Sequence, residues 1–541
     1  MKNILKILLA VLAIMTLSVS AFAQNMDAPN PGNPPPPGMQ GQPPNLDNAI
    51  KSTLGSLVMD NTLSREQAIT ALQYFNKEFA ATKKLSPPDR EKYMSKNKEE
   101  KNDPLNLLIK DGVITPAQAD AIQKALMEQM PPPGGPGGPG GGETLNIKTT
   151  ATYNFNTKAN KTNMTIKASK KDESGVKTTA GGVLTLSNST ITTTGDSSSM
   201  DGSSFYGLNA AVLAEAASTI DLTNCTIRTS GTGANGVFAS GSGAQIQLED
   251  VTIYCTADGA HGVDATLKGT LSLTNVDITT AGAHGAAIAT DRGEGTITVS
   301  GGTHHTSGAA SPGIYSTGDI KISGANITAT DSEAAVIEGK NSIVLTDTTL
   351  YGGKLCGAML YQSFSGDADV GTSKFIMTDG SLTAAEGPLF YVTNTNAVIE
   401  LTATKLNASS SQLLKASAGR WGTSGTNGAT VTFIANNQDL VGNIDCDNIS
   451  AVNLTLANNT SLKGSVNNAN GGTVNLALDN TSTWNVTGTS YLTSLTDENQ
   501  LLTNIKDNGF TIYYDANAAA NSWLEKKTYC LTDGGKLTPK Q

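Results

Sequence analysis

Charge is scarce in this chain. Asp, Glu, Lys and Arg make up 16% of its 541 residues, where an ordinary globular domain carries about 25%. Aromatics are only 5%. Basic groups are scarcer still after residue 180, where Arg228, Arg292 and Arg420 are the only arginines and most of the acidic excess behind the net charge of −10 resides. An acidic surface with so few arginines excludes nucleic acid as a partner. It also disfavours a bare polyanion unless a metal intervenes. The five cysteines, Cys225, Cys255, Cys356, Cys446 and Cys530, include no C-x-x-C pair and no Cys/His cluster that would hold zinc. Their odd number leaves at least one thiol unpaired or paired between chains; the plainer reading makes several of them small buried residues. The longest apolar run, Ile7 to Leu17, is too short for a transmembrane helix of about 20 residues, so no membrane-spanning segment is expected in the mature chain.

That run belongs instead to an export signal. Lys2 and Lys6 precede it and Ala21-Phe22-Ala23 follows, before Gln24, which is a charged n-region, an h-region and an A-x-A cleavage site. Residues 1–23 are therefore a signal peptide, and the mature protein is secreted, displayed on the cell surface or held in the periplasm. Residues 24–45 form a Pro/Gly-rich linker, and a second linker spans 131–142.

Between the linkers, residues 46–130 read as a small helical module with an internal duplication. Asp60-Asn-Thr-Leu63-Ser64-Arg-Glu-Gln67 repeats as Asp111-Gly-Val-Ile114-Thr115-Pro-Ala-Gln118. Each copy is a turn followed by S/T-x-x-Q, a capping box in which hydroxyl and amide satisfy each other's backbone donors. Two helix-turn-helix units are expected. The alternating oxygen ligands and final Glu of an EF-hand are absent, so calcium is not expected here.

What is abundant is Gly (56 residues), together with Thr, Ser and Asn, arranged in a repeat. Apolar-x-apolar, a short Asn/Asp/Gly turn, then a further apolar residue recurs as Leu184-Leu186-Ile191, Ile220-Leu222-Ile227, Ile246-Leu248-Ile253, Leu271-Leu273-Ile278, Ile320-Ile322-Ile327 and Ile343-Leu345-Leu350. Ile297-Val299 fits too, with His304 in the third position. The starts at Ile220, Ile246, Leu271, Ile297, Ile320 and Ile343 lie 23 to 26 residues apart, with insertions before Ile220, Phe375 and Val431. A fixed period of this size marks a stacked repeat, and alternation of period two marks half-buried strands. A third strand follows a Gly in segments such as Gly262-Val-Asp-Ala265. Residues 143–541 are therefore expected to form an all-β, right-handed parallel β-helix of roughly ten or more coils. An antiparallel sandwich is the competing arrangement.

Segments such as Ser311-Pro-Gly-Ile-Tyr-Ser-Thr-Gly-Asp-Ile320 resemble secreted bacterial β-helix proteins of the pectate-lyase-like superfamily. Val452-Asn-Leu454-Thr-Leu456 and Val474-Asn-Leu476-Ala-Leu478 are similar to autotransporter passenger domains. No barrel segment follows before Gln541, so the resemblance does not extend to autotransport by this polypeptide alone. It implies two chemistries for a site: paired carboxylates, as in glycoside hydrolysis, or Asp-bound calcium with an Arg base, as in the lyases.

The candidates are few. Asp291-Arg292 and Arg420 could serve a catalytic sugar site, and the face of Trp421 could stack on a pyranose. Asp367 and Asp369, two apart in a Gly-containing loop, could ligate calcium. Otherwise no cofactor is expected. For all of these the plainer reading is a solvated turn or a structural ion pair. Asn235, His261 and His284 occupy matching Gly-Ala-x-Gly contexts and read as a polar ladder at a coil corner, with a metal or proton site as the alternative. Threonine pairs such as Thr279-Thr280 do not recur coil after coil, so an ice-binding face is not expected. The expected function is an adhesin-like or glycan-binding surface protein without catalytic activity, engaging a glycan or a host or cell-surface ligand. The alternative is a carbohydrate-active enzyme, a polysaccharide lyase or glycoside hydrolase.

Overall fold

The computed structural model describes residues 147–540, together with 50, 54, 57, 62–82, 104–119 and 121–122. The expected signal peptide and both expected linkers lie outside the described residues. The chain divides into two compact units, 1–135 and 136–541, and the boundary falls inside the expected linker.

In the first unit both capping boxes are formed. Ser64 Oγ accepts from the Gln67 amide at 3.1 Å, and Gln67 Oε1 accepts from the Ser64 amide at 2.8 Å. Thr115 and Gln118 repeat this at 3.2 and 2.9 Å. The first box opens the helix Arg65–Thr82; a second helix, Pro104–Lys110, precedes the other box. The duplication is also expressed in space. Gln67 Nε2 donates to the Val113 carbonyl and Gln118 Nε2 to the Thr62 carbonyl, so each copy's glutamine closes on the turn of the other. Ile50, Leu54, Leu63, Phe75, Leu108, Ile114 and Ile122 fill the core between them.

The second unit is an all-β parallel β-helix of about 16 turns. Successive coils contribute one strand each to a 12-stranded, a 14-stranded and a 10-stranded parallel sheet. At about 4.8 Å per coil the stack is roughly 75 Å long. The repeat residues stack in register: Ile246, Leu271 and Ile297 form one column and Leu248, Leu273 and Val299 the next. All are buried, and no coil could bury this face alone. Antiparallel pairing is confined to Tyr529–Cys530 against Lys536–Pro539 at the C-terminal end, among the described residues.

The corner between the 14- and 10-stranded sheets explains the Asn/Asp/Gly of the repeat. Asn188, Asn224, Asp250 and Asn275 have φ between +49° and +53°, and Gly301 and Gly324 follow them with φ of +71° and +65°. A left-handed residue makes the bend on each of these coils, a conformation that Asn, Asp and Gly adopt at least cost. Its amide then donates to the next coil, as Asn224 does to the Glu249 carbonyl and Asp250 to that of Thr274. His304 takes the place of an aliphatic in the third column, fully buried between Ile278 and Ile327. Four cysteines are buried and free, and Cys530 is exposed and free.

At the last coils the stack ends on side chains. In the 3₁₀ segment Ala519–Leu524, Asn521 Oδ1 accepts from the Leu495 amide at 2.8 Å, while Trp523 Nε1 donates to the Leu495 carbonyl at 3.0 Å.

Candidate functional site

The three sheets are not equivalent. Strands of the 14-stranded sheet alternate exposed and buried, as in Gln245–Glu249 and Thr270–Thr274. In the 12-stranded sheet, Val237–Ser240, Val263–Thr266 and Ala335–Glu338 are buried at every position. Something covers its outer face, and the cover is made by the sequence insertions. Residues 195–211 enter this sheet and carry the helix Met200–Tyr206, capped by Ser199 and ended by Gly207 at φ +69°. The segments between Tyr361 and Thr372 and between Ala416 and Thr430 leave it. Phe205, from the helix, is fully buried; its carbonyl accepts from Thr266 Oγ1 at 2.8 Å, and its ring lies 3.9 Å from the Arg292 guanidinium.

Beneath this cover, side chains pointing outward from the sheet form a strip of acids and aromatics. Asp264 and Asp291, on consecutive coils, are 0% and 1% exposed. Neither oxygen of Asp264 has a hydrogen-bond partner of normal geometry. Burial and the proximity of Asp291 push its pKa well above the ordinary carboxylate range. Burial also raises Asp291, aided by the neighbouring Asp367 and Glu338. Asp367 reaches in from the 361–372 insertion and receives Arg292 Nε at 3.0 Å and Nη2 at 2.8 Å. Its pKa is nonetheless raised, because burial outweighs the guanidinium. Glu338 is the most heavily bonded acid of the strip. It accepts from Tyr315 Oη at 2.8 Å, Tyr361 Oη at 2.9 Å, Ser365 Oγ at 3.0 Å and the Ser363 hydroxyl.

The strip continues into aromatics at the surface. The Tyr361 ring lies tilted at 5.5 Å from Trp421, Trp421 lies 6.2 Å from Phe364, and the Arg420 guanidinium sits 4.7 Å from the Trp421 ring. Phe364 is 51% exposed, Trp421 is half-buried and Arg420 is exposed.

Five residues singled out from sequence, Asp291, Arg292, Asp367, Arg420 and Trp421, thus fall on one strip, although the two pairs lie far apart in the chain. Asp369 does not join them. Its carboxylate bonds Lys340 at 2.9 Å at the surface, while that of Asp367 is committed to Arg292. Instead of converging on a calcium ion, the two acids of that loop are drawn to different cations. The histidine ladder is also shorter than its motif. Asn235 Oδ1 accepts from the His261 amide at 2.7 Å, and His261 Nδ1 accepts from the Ala286 amide at 3.0 Å. His284 is exposed and out of line, because its motif sits two residues earlier in a loop of the same length, which puts Ala286 at the level of His261. Sequence reasoning did not single out Glu338. Its signal was a strand apolar on both faces, Ala335-Val-Ile-Glu338, which implies burial on both sides.

Comparison with family models, curated proteins and solved structures gives no match for this chain. What the structure shows of the expected resemblance is the parallel β-helix itself.

Proposed function

We propose that the chain is an exported, adhesin-like β-helix that binds a glycan where Phe364, Trp421 and Arg420 open to solvent, without catalysing a reaction. The observation that carries this is the convergence of the insertions on one sheet face. Segments that break the repeat carry specificity in a rigid scaffold, and here two of them present Phe364 and the half-buried Trp421 together. An aromatic face offers apolar area to a sugar ring at little conformational cost, and the neighbouring guanidinium supplies donors to its oxygens. The export signal fits a ligand met outside the cytoplasm, at the cell surface or on a host.

A glycan array probed with the full chain tests this reading. Binding should fall at least about tenfold in Trp421→Ala and Phe364→Ala, the loss expected when about 1.4 kcal/mol of stacking is removed. Binding unchanged in both variants, or no glycan bound at all, would overturn it.

One observation favours a second reading, a hydrolase or lyase: Asp264, Asp291, Asp367 and Glu338 lie in one cluster, and acid–base chemistry uses such pairs. All four are at most 5% exposed, which keeps a glycosidic bond from reaching them. Release of reducing ends from polysaccharide, abolished by Asp291→Asn, would establish the enzyme and displace the binding protein.

A further inference from the structure

The acids under the insertion helix have a feature that glycan binding does not use, and it stands whether or not a glycan is the ligand. Asp264 is fully buried with neither carboxylate oxygen partnered; the amides of Ala265 and Asp291 approach without meeting hydrogen-bond geometry. Buried polar groups in folded proteins are satisfied in the great majority, and an orphan calls for a cause. One oxygen each from Asp264 and Asp291 and an imidazole nitrogen of His261 lie within 4.8 Å of one another. That separation suits a single ion, since calcium–oxygen distances are about 2.3–2.6 Å. Charge points the same way. The strip holds four buried carboxyl groups, and Arg292 is the one cation bonded to any of them among the described residues.

The role of His261 follows from its hydrogen bond. Nδ1 accepts from the Ala286 amide at 3.0 Å, so the proton of the neutral ring resides on Nε2. A protonated nitrogen has no lone pair for a metal. It can donate to a ligating carboxylate, the usual way in which neighbours orient metal ligands. The donor set is then all oxygen, which selects hard ions over zinc or copper.

We propose that Asp264 and Asp291 bind a hard divalent cation of the calcium or manganese type beneath the helix Met200–Tyr206, with His261 as the N–H donor that steadies a ligating carboxylate.

The test uses the full chain, stripped with a chelator and titrated with Mn2+, with free ion read by electron paramagnetic resonance. Wild type should bind one Mn2+ that Ca2+ displaces and that Asp264→Asn abolishes. His261→Gln, which keeps an N–H donor, should retain the site within about tenfold, the smaller end of losses from outer-shell changes. Asp291→Asn serves as the second ligand variant. Should neither carboxylate variant fold, the wild type decides: one equivalent of Mn2+ displaced by Ca2+ supports the site. No stoichiometric binding to wild type overturns the proposal, and so does binding that survives Asp264→Asn. A preference for Zn2+ that disappears in His261→Gln would also overturn it, because the imidazole would then be a ligand.

Discussion

Replacing His304 by isoleucine should stabilise this protein and flatten its response to mild acid. The imidazole stands in a column of aliphatics between Ile278 and Ile327, 0% exposed, and neither ring nitrogen has a partner of normal geometry. Burial lowers its pKa to about 4, with Asp277 only partly offsetting that. An unfolded histidine titrates near about 6.5. The unfolded chain therefore takes up the proton first, and stability is lost as pH falls from about 6.5 through about 4. A gap of about 2.5 units corresponds to roughly 3 kcal/mol at the acid limit, of which roughly 2 kcal/mol develops by about pH 5. At neutral pH the isoleucine removes two unsatisfied polar atoms, worth about 1–3 kcal/mol, and its volume is close to that of histidine, so overpacking is small. Urea unfolding of wild type and His304→Ile at about pH 7.5 and about pH 5 measures both effects. Subtracting one protein from the other cancels the remaining titrating groups. Equal loss of stability in both proteins on acidification, or a less stable variant at neutral pH, would refute the reasoning.

Three further outcomes are expected from the packing. Leu273→Asp places a carboxylate between Leu248 and Val299, which should cost several kcal/mol and be seen as loss of native circular dichroism; wild-type stability would contradict the stacking. Arg292→Met strands the buried Asp367 carboxylate and should cost about 3–5 kcal/mol. Adding Asp367→Asn should recover most of that, and a double variant no more stable than the single one would show that the pair is not coupled. For Asp479, burial would raise the pKa, but the amide and hydroxyl of Thr481 and the Asn458 amide hold it down at about 2. The stability it contributes is present above about pH 4 and lost as pH falls toward 2, so Asp479→Asn should remove part of the acid-induced loss in a urea series over that range.

The β-helix was legible because its evidence is local and repeated. Leu271-Leu273-Ile278 states a two-residue alternation, a corner and a third strand, and each neighbouring repeat states it again. The anomaly at His304 was visible for the same reason. The strip of acids was not, because stacking makes neighbours of residues one coil apart. Asp264 meets Asp291 diagonally, two positions off the strict register, so a repeat alignment does not pair them. The His261 and His284 motifs match in sequence, yet the second sits two residues earlier in its loop, which separates them in space. Insertions carry no period at all. Nothing in Ser363 to Asp369 states that Asp367 will fold back to Arg292, or that Ser363 and Ser365 will close on Glu338. Arg420 and Trp421 were singled out by residue type, while their place beside Tyr361 and Phe364 came only from the path of the loops.

The way the last coils finish bears on how long such an object can become. A parallel stack has no intrinsic length, since each new strand offers the next the same row of amides and carbonyls, and an identical molecule could continue it indefinitely. Here the Leu495 amide and carbonyl are answered by Asn521 and Trp523, side chains that imitate a strand without presenting another edge. The strand Lys536–Pro539 still runs parallel to Thr511–Tyr514, but the strand beyond it, Tyr529–Cys530, runs the opposite way, and Lys536–Pro539 itself ends on a proline, which has no amide to donate. These residues act as a stop to polymer growth. Their loss should leave the last edge open, so that molecules join end to end in the manner of a fibre.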